Sequence, residues 1–330
     1  MEHPLFRQLA LSPLRSVADR HPGTDAATLD EIDEEHLKLI AQEVLTWAKK
    51  QGVTHYTFWI QPQTNETIEK HDAFFELEHL FHSGLNFKQV ENFTGRVLQK
   101  GEGDGSSIPN GGLRGTEKAR AYIAWDCKAD IFIREGINKT LYLPAMLLTH
   151  DGEALDEKSY LRRAESKLKQ STTKILSVLG ESEVKCVNYC LGIEQEFFVV
   201  RKEDYEKRLD LNQCGRSLYG QLPPRNQQFS DHYYGKLNDK MFEVLSECEN
   251  ELLRLGVPVK TKHKEVAVNQ FEMSAYYEDA VTSVDHNMLV MDVLKSTFDR
   301  HGYTVLLHEK PFKSANGSGK HCNWSLQYSR

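Results

Sequence analysis

CLGIEQEFFVV, at residues 190–200, is the stretch on which the fold of the second half of this chain depends. Its aromatic and β-branched residues predict a buried strand. Glu194 and Glu196 lie two residues apart within it, and side chains two apart on a strand point to the same face. We therefore expect the two carboxylates side by side, with their Cα atoms about 6.5–7 Å apart.

Two carboxylates on one buried face repel each other, and burying their charge is costly unless a positive group compensates. A divalent cation is the simplest compensation, because Mg²⁺ and Mn²⁺ prefer oxygen ligands. The alternative is a half-exposed strand whose polar face is solvated. The residue types of this segment alone do not decide between the two.

Two more segments carry chemistry of the same kind. KHKEVAVNQFEMS, at 262–274, contains Glu265 and Glu272. A spacing of seven places them on opposite faces of an ideal strand, so they serve one site only if the chain turns or bulges between them. Taken alone, a surface hairpin explains this pair as well.

KPFKSANGSGKHCNWSL, at 310–326, predicts a tight loop over residues 316–319, followed by His321. Backbone N–H groups of such a loop can face an anion, although a plain turn beside a surface histidine is the simpler interpretation. GDGSSIPNGG, at 103–112, lacks the lysine of a P-loop and the glycine spacing of a dinucleotide site, and Asp104 can merely begin a turn.

The rest of the chain predicts a fold of the α+β or α/β class with a domain boundary near residues 135–140. Helices are expected over 30–52, 157–179, 236–255 and 284–300, and strands over 53–60, 121–126, 129–133, 141–150, 265–272 and 303–308. Residues 101–116 are expected to form a loop. These elements divide the chain into a loose N-terminal arm (1–29), a first domain (30–137) and a second domain (138–330).

Composition excludes several classes of protein. With 27% charged and 39% hydrophobic residues the chain is globular, and its formal net charge of −7 argues against a general nucleic-acid binder. No apolar run is long enough to span a membrane, and the N-terminus does not resemble a signal peptide. The six cysteines contain no CxxC pair, which disfavours a zinc ribbon. Because no secretory signal is recognised, we expect their thiols to be reduced in the cytoplasm.

Four motifs in this order resemble the glutamine synthetase superfamily: DGSS (104–107), GIEQEFF (192–198), HKEVAVNQFE (263–272) and NGSGKH (316–321). Three further segments narrow the resemblance to the type III class: THYTFWIQPQTNETIEKHDAFF (54–75), SSIPNGGLRGTEKARAYIAWD (106–126) and LYLPAMLLTHDGEALDEKSYL (141–161). The resemblance runs from about residue 30 to residue 326.

This resemblance implies a β-grasp-like first domain, followed by the first part of a catalytic α/β domain with a curved antiparallel sheet and helices. It also implies an ATP-dependent ligase that condenses L-glutamate with ammonium through γ-glutamyl phosphate. The implied cofactors are two or more Mg²⁺ or Mn²⁺ ions. The implied assembly is a cytoplasmic homo-oligomer whose active site is shared between neighbouring subunits, with no nucleic acid or membrane as partner.

The resemblance also assigns roles to residues. The ligands of one ion correspond to Glu196, Glu265 and Glu272, and two ligands of a second ion to Glu194 and His321. The glutamate site corresponds to Asn316 and Gly317, the surroundings of the ATP phosphates to Asn323 and Ser325, and the ammonium site to Asp104. On this basis the expected catalytic residues are Asp104, Glu272 and His321.

The family's chains continue well beyond the NGSGKH motif, with further metal, substrate and nucleotide residues. We therefore expect these 330 residues to be inactive alone and to expose apolar surface at a sheet edge. One alternative is a natural short protein that no longer catalyses, and binds metal or docks onto full-length subunits. Another is a different ATP-using ligase or phosphotransferase, which the DGSS and THYTFWIQP segments disfavour.

Overall fold

The chain forms two compact units in a computed structural model, one of Leu9–Ser166 and one of Lys167–Arg330 with Met1–Gln8. The structure describes residues 3–18, 32–61, 66–79, 87–91, 93–99, 101–104, 120–149, 151–181, 183–222, 227 and 233–329. Both units mix helices with mainly antiparallel strands, which confirms the predicted α+β class.

The N-terminal unit is built around one long strand. Its elements are β1 (Ala10–Leu11), α1 (Pro13–Ala18), α2 (Glu34–Lys50), β2 (His55–Trp59), β3 (Asp72–Ala73), β4 (Phe75–His79), β5 (Phe87–Glu91), α3 (Gly95–Gln99), β6 (Gly101–Asp104), β7 (Arg120–Trp125), β8 (Ile131–Arg134) and β9 (Thr140–Thr149). Strand β9 pairs in parallel with β2 and antiparallel with β7 and β8. Its nearly continuous apolar sequence suits this central place, because both of its faces are covered.

The sequence of helix α2 explains where this helix begins, which face it buries and where it ends. Asp33 accepts a hydrogen bond from the backbone N–H of His36 at 2.9 Å and caps the first turn. Ile40 and Val44 are fully buried on one face. Gly52 follows the last turn with φ +76°, a conformation that glycine adopts without strain.

The second unit is built around a 16-residue strand. Its elements are α4 (Glu157–Val178, which begins before Lys167), β10 (Cys186–Arg201), α5 (Lys202–Glu206), α6 (Leu209–Cys214), α7 (Asp239–Arg254), β11 (Val259–Lys264), β12 (Gln270–Ala275), β13 (Glu278–Asp279), α8 (Ala280–Arg300), β14 (Tyr303–Leu306) and β15 (Lys320–Ser329). Strand β10 pairs antiparallel with β12, β13, β14 and β15. Helix α8 packs on this sheet, where Phe298 meets Phe197 edge-on at 5.8 Å between ring centroids.

Strand β15 lies at an edge of the sheet. Among the described strands it pairs only with β10, and all ten of its residues are exposed. Trp324, Leu326 and Tyr328 are 70%, 46% and 44% exposed, so this edge carries apolar surface.

The structure corrects the predicted division of the chain at residues 137 and 138. Residues 140–149 pair with β2, β7 and β8, so they belong to the N-terminal unit, whose boundary lies between Ser166 and Lys167. The predicted arm, 1–29, is also wrong in part, because β1 pairs with β8. Gly101–Asp104 form strand β6 and not a loop, while residues 105–116 lie outside the described residues.

Among the described residues, no helix is both long and apolar enough to cross a membrane. All six cysteines lie in the described part of the chain and are free thiols.

A buried ion cluster stabilises the start of α4. Lys158 Nζ lies 2.8 Å and Arg162 Nη2 2.9 Å from Oδ2 of Asp126, and the Lys158 and Asp126 side chains are 1% and 4% exposed. Burial alone would raise the pKa of Asp126, but the two cations outweigh it and hold the pKa well below its usual range.

We predict that Lys158→Met lowers the free energy of unfolding by about 3 kcal/mol, because it leaves the buried Asp126 carboxylate with one cation fewer. Urea denaturation of the purified chain measures this. The control is Lys167→Met at an exposed position of the same helix, with an expected change below about 0.5 kcal/mol. Equal effects of the two substitutions would contradict a stabilising role for this cluster.

Candidate functional site

Strand β10 places its two acidic residues between neighbouring strands on both sides. Glu194 is opposite Ser274 of β12 and opposite His321 of β15. Glu196 is opposite Glu272 of β12. Between them, Gln195 points to the other side of the sheet, where it is 1% exposed. There it donates a hydrogen bond to the Glu196 carbonyl at 2.8 Å and accepts one from Asn287 at 3.3 Å, which fixes the strand that carries the two carboxylates.

The carboxylate of Glu196 is 9% exposed and is held by neutral donors. The Gly319 N–H and Gln270 Nε2 donate to its Oε2, at 3.0 and 3.4 Å. Gln270 Nε2 also donates to the Gly317 carbonyl at 2.7 Å. Gln270 thus links the Glu196 side chain to the loop that follows β14.

A turn between β11 and β12 brings Glu265 back to Glu272, as a shared site requires. The N–H of Glu265 donates to the Gln270 carbonyl at 2.8 Å, and Asn269 has φ +56°. Glu265 and Glu272 are 6% and 4% exposed. The single strand expected over 265–272 is therefore wrong. Strand β11 ends at Lys264, the turn follows, and β12 begins at Gln270.

His263, the first residue of the HKEVAVNQFE motif, joins the cluster, although no role was assigned to it from the sequence. It is opposite Glu272 in the β11–β12 pair. Its Nε2 lies 3.4 Å from Glu272 Oε1 and its Nδ1 3.6 Å from Glu265 Oε1. One ligand atom of each of the three residues lies within 4.8 Å of the others. The alternation of side chains along a strand was the available signal, since His263 precedes Glu265 by two residues.

The electrostatics of the cluster favour a nearby positive charge. Burial, and then the charges of Glu196 and Glu272, raise the pKa of Glu265. The charge of Glu265, followed by burial and the charge of Glu272, raises the pKa of the nearby Tyr233. Among the described residues, Oε1 of Glu265 is buried without a hydrogen-bond partner. A buried oxygen-rich set with an unpaired carboxylate oxygen fits a divalent cation.

Two further predicted ligands, Glu194 and His321, lie next to the three glutamates. His321 Nδ1 is 3.1 Å from Oε2 of Glu194, and Asn323 Nδ2 donates to the other oxygen of Glu194 at 3.0 Å. The hydrogen bond to Glu194 raises the pKa of His321. The His321 side chain is 62% exposed, so this pair is more open than the three buried glutamates.

The loop at 316–319 is fixed from two sides. Gln227 donates to the Asn316 side-chain oxygen at 2.9 Å and accepts from the Asn316 N–H at 2.8 Å. The Ser318 N–H donates to the Glu309 carbonyl at 2.8 Å. A Cβ at Gly317 would lie 2.7 Å from that same carbonyl oxygen, so only glycine fits there.

An open pocket of about 420 Å³ borders the acidic groups. Its lining includes Glu194, Tyr233, His263, Glu272 and Asn323. Ser325 lies two residues beyond Asn323 on β15 and therefore on the same strand face. Asp104, the remaining predicted residue, is the last residue of β6 in the N-terminal unit, opposite Arg120 of β7.

Two solved structures have a fold similar to that of this chain. A solved structure titled "CryoEM Plasmodium falciparum glutamine synthetase" has a TM-score of 0.58 at 20% identity, over 87% of this chain and 54% of that one. Another, titled "Apo GmaS without ligand", has a TM-score of 0.60 at 16% identity, over 86% and 56%. At these identities the likeness shows the fold alone.

Sequence comparison identifies the family. Residues 20–164 match the family described as glutamine synthetase type III N terminal, and residues 169–330 the glutamine synthetase catalytic domain. The "Type-3 glutamine synthetase" of Dictyostelium discoideum is 42% identical over 89% of this chain and 40% of its own length. A "Glutamine synthetase" of Bacteroides fragilis is 42% identical over 89% and 39%.

This chain belongs to the type III glutamine synthetase family. It spans about two fifths of the length of these curated relatives.

We predict that Gly317→Ala lowers the free energy of unfolding by about 1–3 kcal/mol, because the new methyl group overlaps the Glu309 carbonyl. Chemical denaturation measures the loss. Gly319→Ala is the matched control, since a Cβ there meets nothing within 4 Å. A Gly317→Ala chain as stable as the Gly319→Ala chain would contradict the close contact.

We predict that Glu265→Gln stabilises the metal-free chain, and more so as the pH rises. A carboxyl whose pKa is raised on folding contributes stability below its unfolded pKa and loses it as the pH rises through the folded pKa. Thermal unfolding with a chelator at about pH 5 and about pH 8 measures the difference. Glu183→Gln, at an exposed position, is the control. A variant destabilised more at the higher pH would contradict the repulsion.

Proposed function

We propose that this chain supplies the N-terminal domain and the carboxylate metal centre of a glutamate–ammonia ligase driven by ATP. The observation that carries the proposal is the convergence of Glu196, Glu265 and Glu272 from β10, β12 and the turn between β11 and β12. The type III family of the chain supports the reaction, since relatives that are 42% identical to this chain are named glutamine synthetases.

The metal centre has two parts in this proposal. Glu196, Glu265 and Glu272 would hold one Mg²⁺ or Mn²⁺ ion, and Glu194 and His321 would hold a second. When bound, the ions supply positive charge that offsets the anionic carboxylate and phosphates which must meet in the reaction. The protein's part is to prepare the site: the Gly319 N–H and Gln270 orient Glu196, and Asn323 orients Glu194.

Asn316 and Gly317 are proposed to hold the substrate L-glutamate. Gln227 fixes both the backbone and the side chain of Asn316, which prepares the loop before the substrate arrives and lowers the entropy cost of binding. Gln270 ties the Gly317 carbonyl to the Glu196 carboxylate. In the proposed step, the substrate's γ-carboxylate would attack the γ-phosphoryl group of ATP beside the acidic cluster, which forms γ-glutamyl phosphate and releases ADP.

Asn323 and Ser325 are proposed to lie near the ATP phosphates. Both are exposed on the β15 face that carries His321, and Asn323 borders the open pocket. One amide hydrogen of Asn323 is used by Glu194, and its amide has a second hydrogen for a phosphate oxygen.

Asp104 is proposed to bind ammonium, because a carboxylate can hold the cation and accept a proton as ammonia attacks. Its role rests on the family pattern, in which this residue comes from a neighbouring subunit of a homo-oligomer. We also infer a cytoplasmic location, which the six free thiols support.

A chimera tests the proposed function. We predict that residues 20–330 of this chain, exchanged for the matching part of the Dictyostelium relative, form glutamine from glutamate, ammonia and ATP with added Mg²⁺ or Mn²⁺. Glu196→Ala should lower this rate at least about 100-fold, since the charge of the reacting anions is then poorly offset. It should also weaken Mn²⁺ binding to the 330-residue chain.

Glu183→Gln, at an exposed position, serves as the control in both assays. A chimera that folds and assembles like its parent but forms no glutamine would reject the proposal. Unchanged Mn²⁺ binding in a folded Glu196→Ala chain would reject the ligand assignment.

A further inference from the structure

We infer that His263 is itself a ligand of the ion held by Glu265 and Glu272, and that its imidazole makes this centre prefer Mn²⁺ to Mg²⁺. The inference rests on the proposed metal centre and adds a nitrogen ligand to its carboxylates. The residues involved are a partly buried histidine of β11 and two glutamates that are 6% and 4% exposed.

The surroundings of the two ring nitrogens of His263 are unequal. Nδ1 lies 3.2 Å from the Lys264 carbonyl and 3.6 Å from Glu265 Oε1, and both of these oxygens are acceptors. A neutral imidazole with its hydrogen on Nδ1 would donate to the Lys264 carbonyl and leave Nε2 free to bind an ion. Metal-binding histidines commonly donate their second ring N–H to a carbonyl in this way, which orients the ring.

The other nitrogen then presents a lone pair to an acceptor. Nε2 faces Glu272 Oε1 at 3.4 Å, an oxygen that also accepts a hydrogen bond from Ser274 Oγ at 2.7 Å. In this tautomer the nitrogen and the oxygen are both acceptors, and they repel each other unless a cation lies between them. Two ligand atoms bonded to one ion at about 2.1–2.3 Å, near a right angle, lie about 3.0–3.3 Å apart. The observed separation is close to that of two neighbouring ligands.

A second observation points to the same place. Within the described part of the chain, Oε1 of Glu265 is buried and accepts no hydrogen bond. This oxygen lies 3.6 Å from His263 Nδ1, the ring nitrogen next to the proposed ligand side. Buried acceptors in native proteins are almost always satisfied, so an oxygen left open beside an imidazole and a second carboxylate indicates a bound cation.

The mixed donor set decides which ion is preferred. Mg²⁺ favours oxygen ligands, whereas a nitrogen ligand favours the transition ions. Removing the imidazole should therefore weaken Mn²⁺ binding far more than Mg²⁺ binding.

Another role for His263 predicts the opposite result. As an imidazolium it would be the cation of the cluster and would compete with a metal ion for the two carboxylates. Its removal would then strengthen the binding of both ions, because more negative charge would be left unpaired.

The experiment uses the 330-residue chain. Mn²⁺ binding is measured by electron paramagnetic resonance and Mg²⁺ binding by competition, for the unsubstituted chain, His263→Ala and the more conservative His263→Asn. We expect the Mn²⁺ affinity to fall about tenfold or more and the Mg²⁺ affinity to change little. His301→Ala is the control, because His301 pairs with Glu247 on another part of this unit.

A spectroscopic measurement identifies the ligand directly. In a His321→Ala chain, the nitrogen modulation of the Mn²⁺ echo signal should persist, and it should disappear when His263→Ala is added. Unchanged Mn²⁺ affinity in folded His263 variants, tighter binding of both ions, or modulation that survives the second substitution would each overturn the inference. Mn²⁺ binding that also survives Glu272→Ala would instead count against the proposed metal centre as a whole.

Discussion

The repulsion between carboxylates gathered on one face of a sheet is the constraint on which this second unit depends. Strand β10 carries Glu194 and Glu196, and the pairing of β12 with β10 sets Glu272 opposite Glu196. The turn before β12 adds Glu265 to the same cluster. The placement of Glu265 costs free energy in the metal-free chain, and its raised pKa is the sign of that cost. This arrangement is the basis of the metal centre that we propose.

The neighbouring structure holds this arrangement in place without neutralising it. Gln195 and Asn287 fix the strand from the apolar side of the sheet. Gln270 and the backbone of the glycine loop fix Glu196 from the other side. These partners are neutral, so they orient the carboxylates and leave their charge available. His263 differs because its ring faces two glutamates at once, which is why we assign it to the ion itself.

Local patterns predicted the parts of the site that depend on neighbouring residues. The alternation of a strand was enough to place Glu194 and Glu196 together, and the spacing of Glu265 and Glu272 showed that a turn was needed. What depends on distant partners was not predictable in this way. The spacing of two before Glu265 indicated that His263 could share its face, but the contact of His263 with Glu272 depends on the register of β11 on β12. The boundary at 137 and 138 was wrong because the partners of β9 lie up to 85 residues earlier in the chain, at His55.

Crystallography with Mn²⁺ tests the central claim most directly, because anomalous scattering at the manganese edge locates the ion without reference to the protein atoms. We expect an anomalous-difference peak for manganese at about 2.0–2.4 Å from carboxylate oxygens of Glu196, Glu265 and Glu272. A well-ordered cluster that shows no such peak at saturating Mn²⁺, or an ion bound only by exposed carboxylates elsewhere, would contradict it.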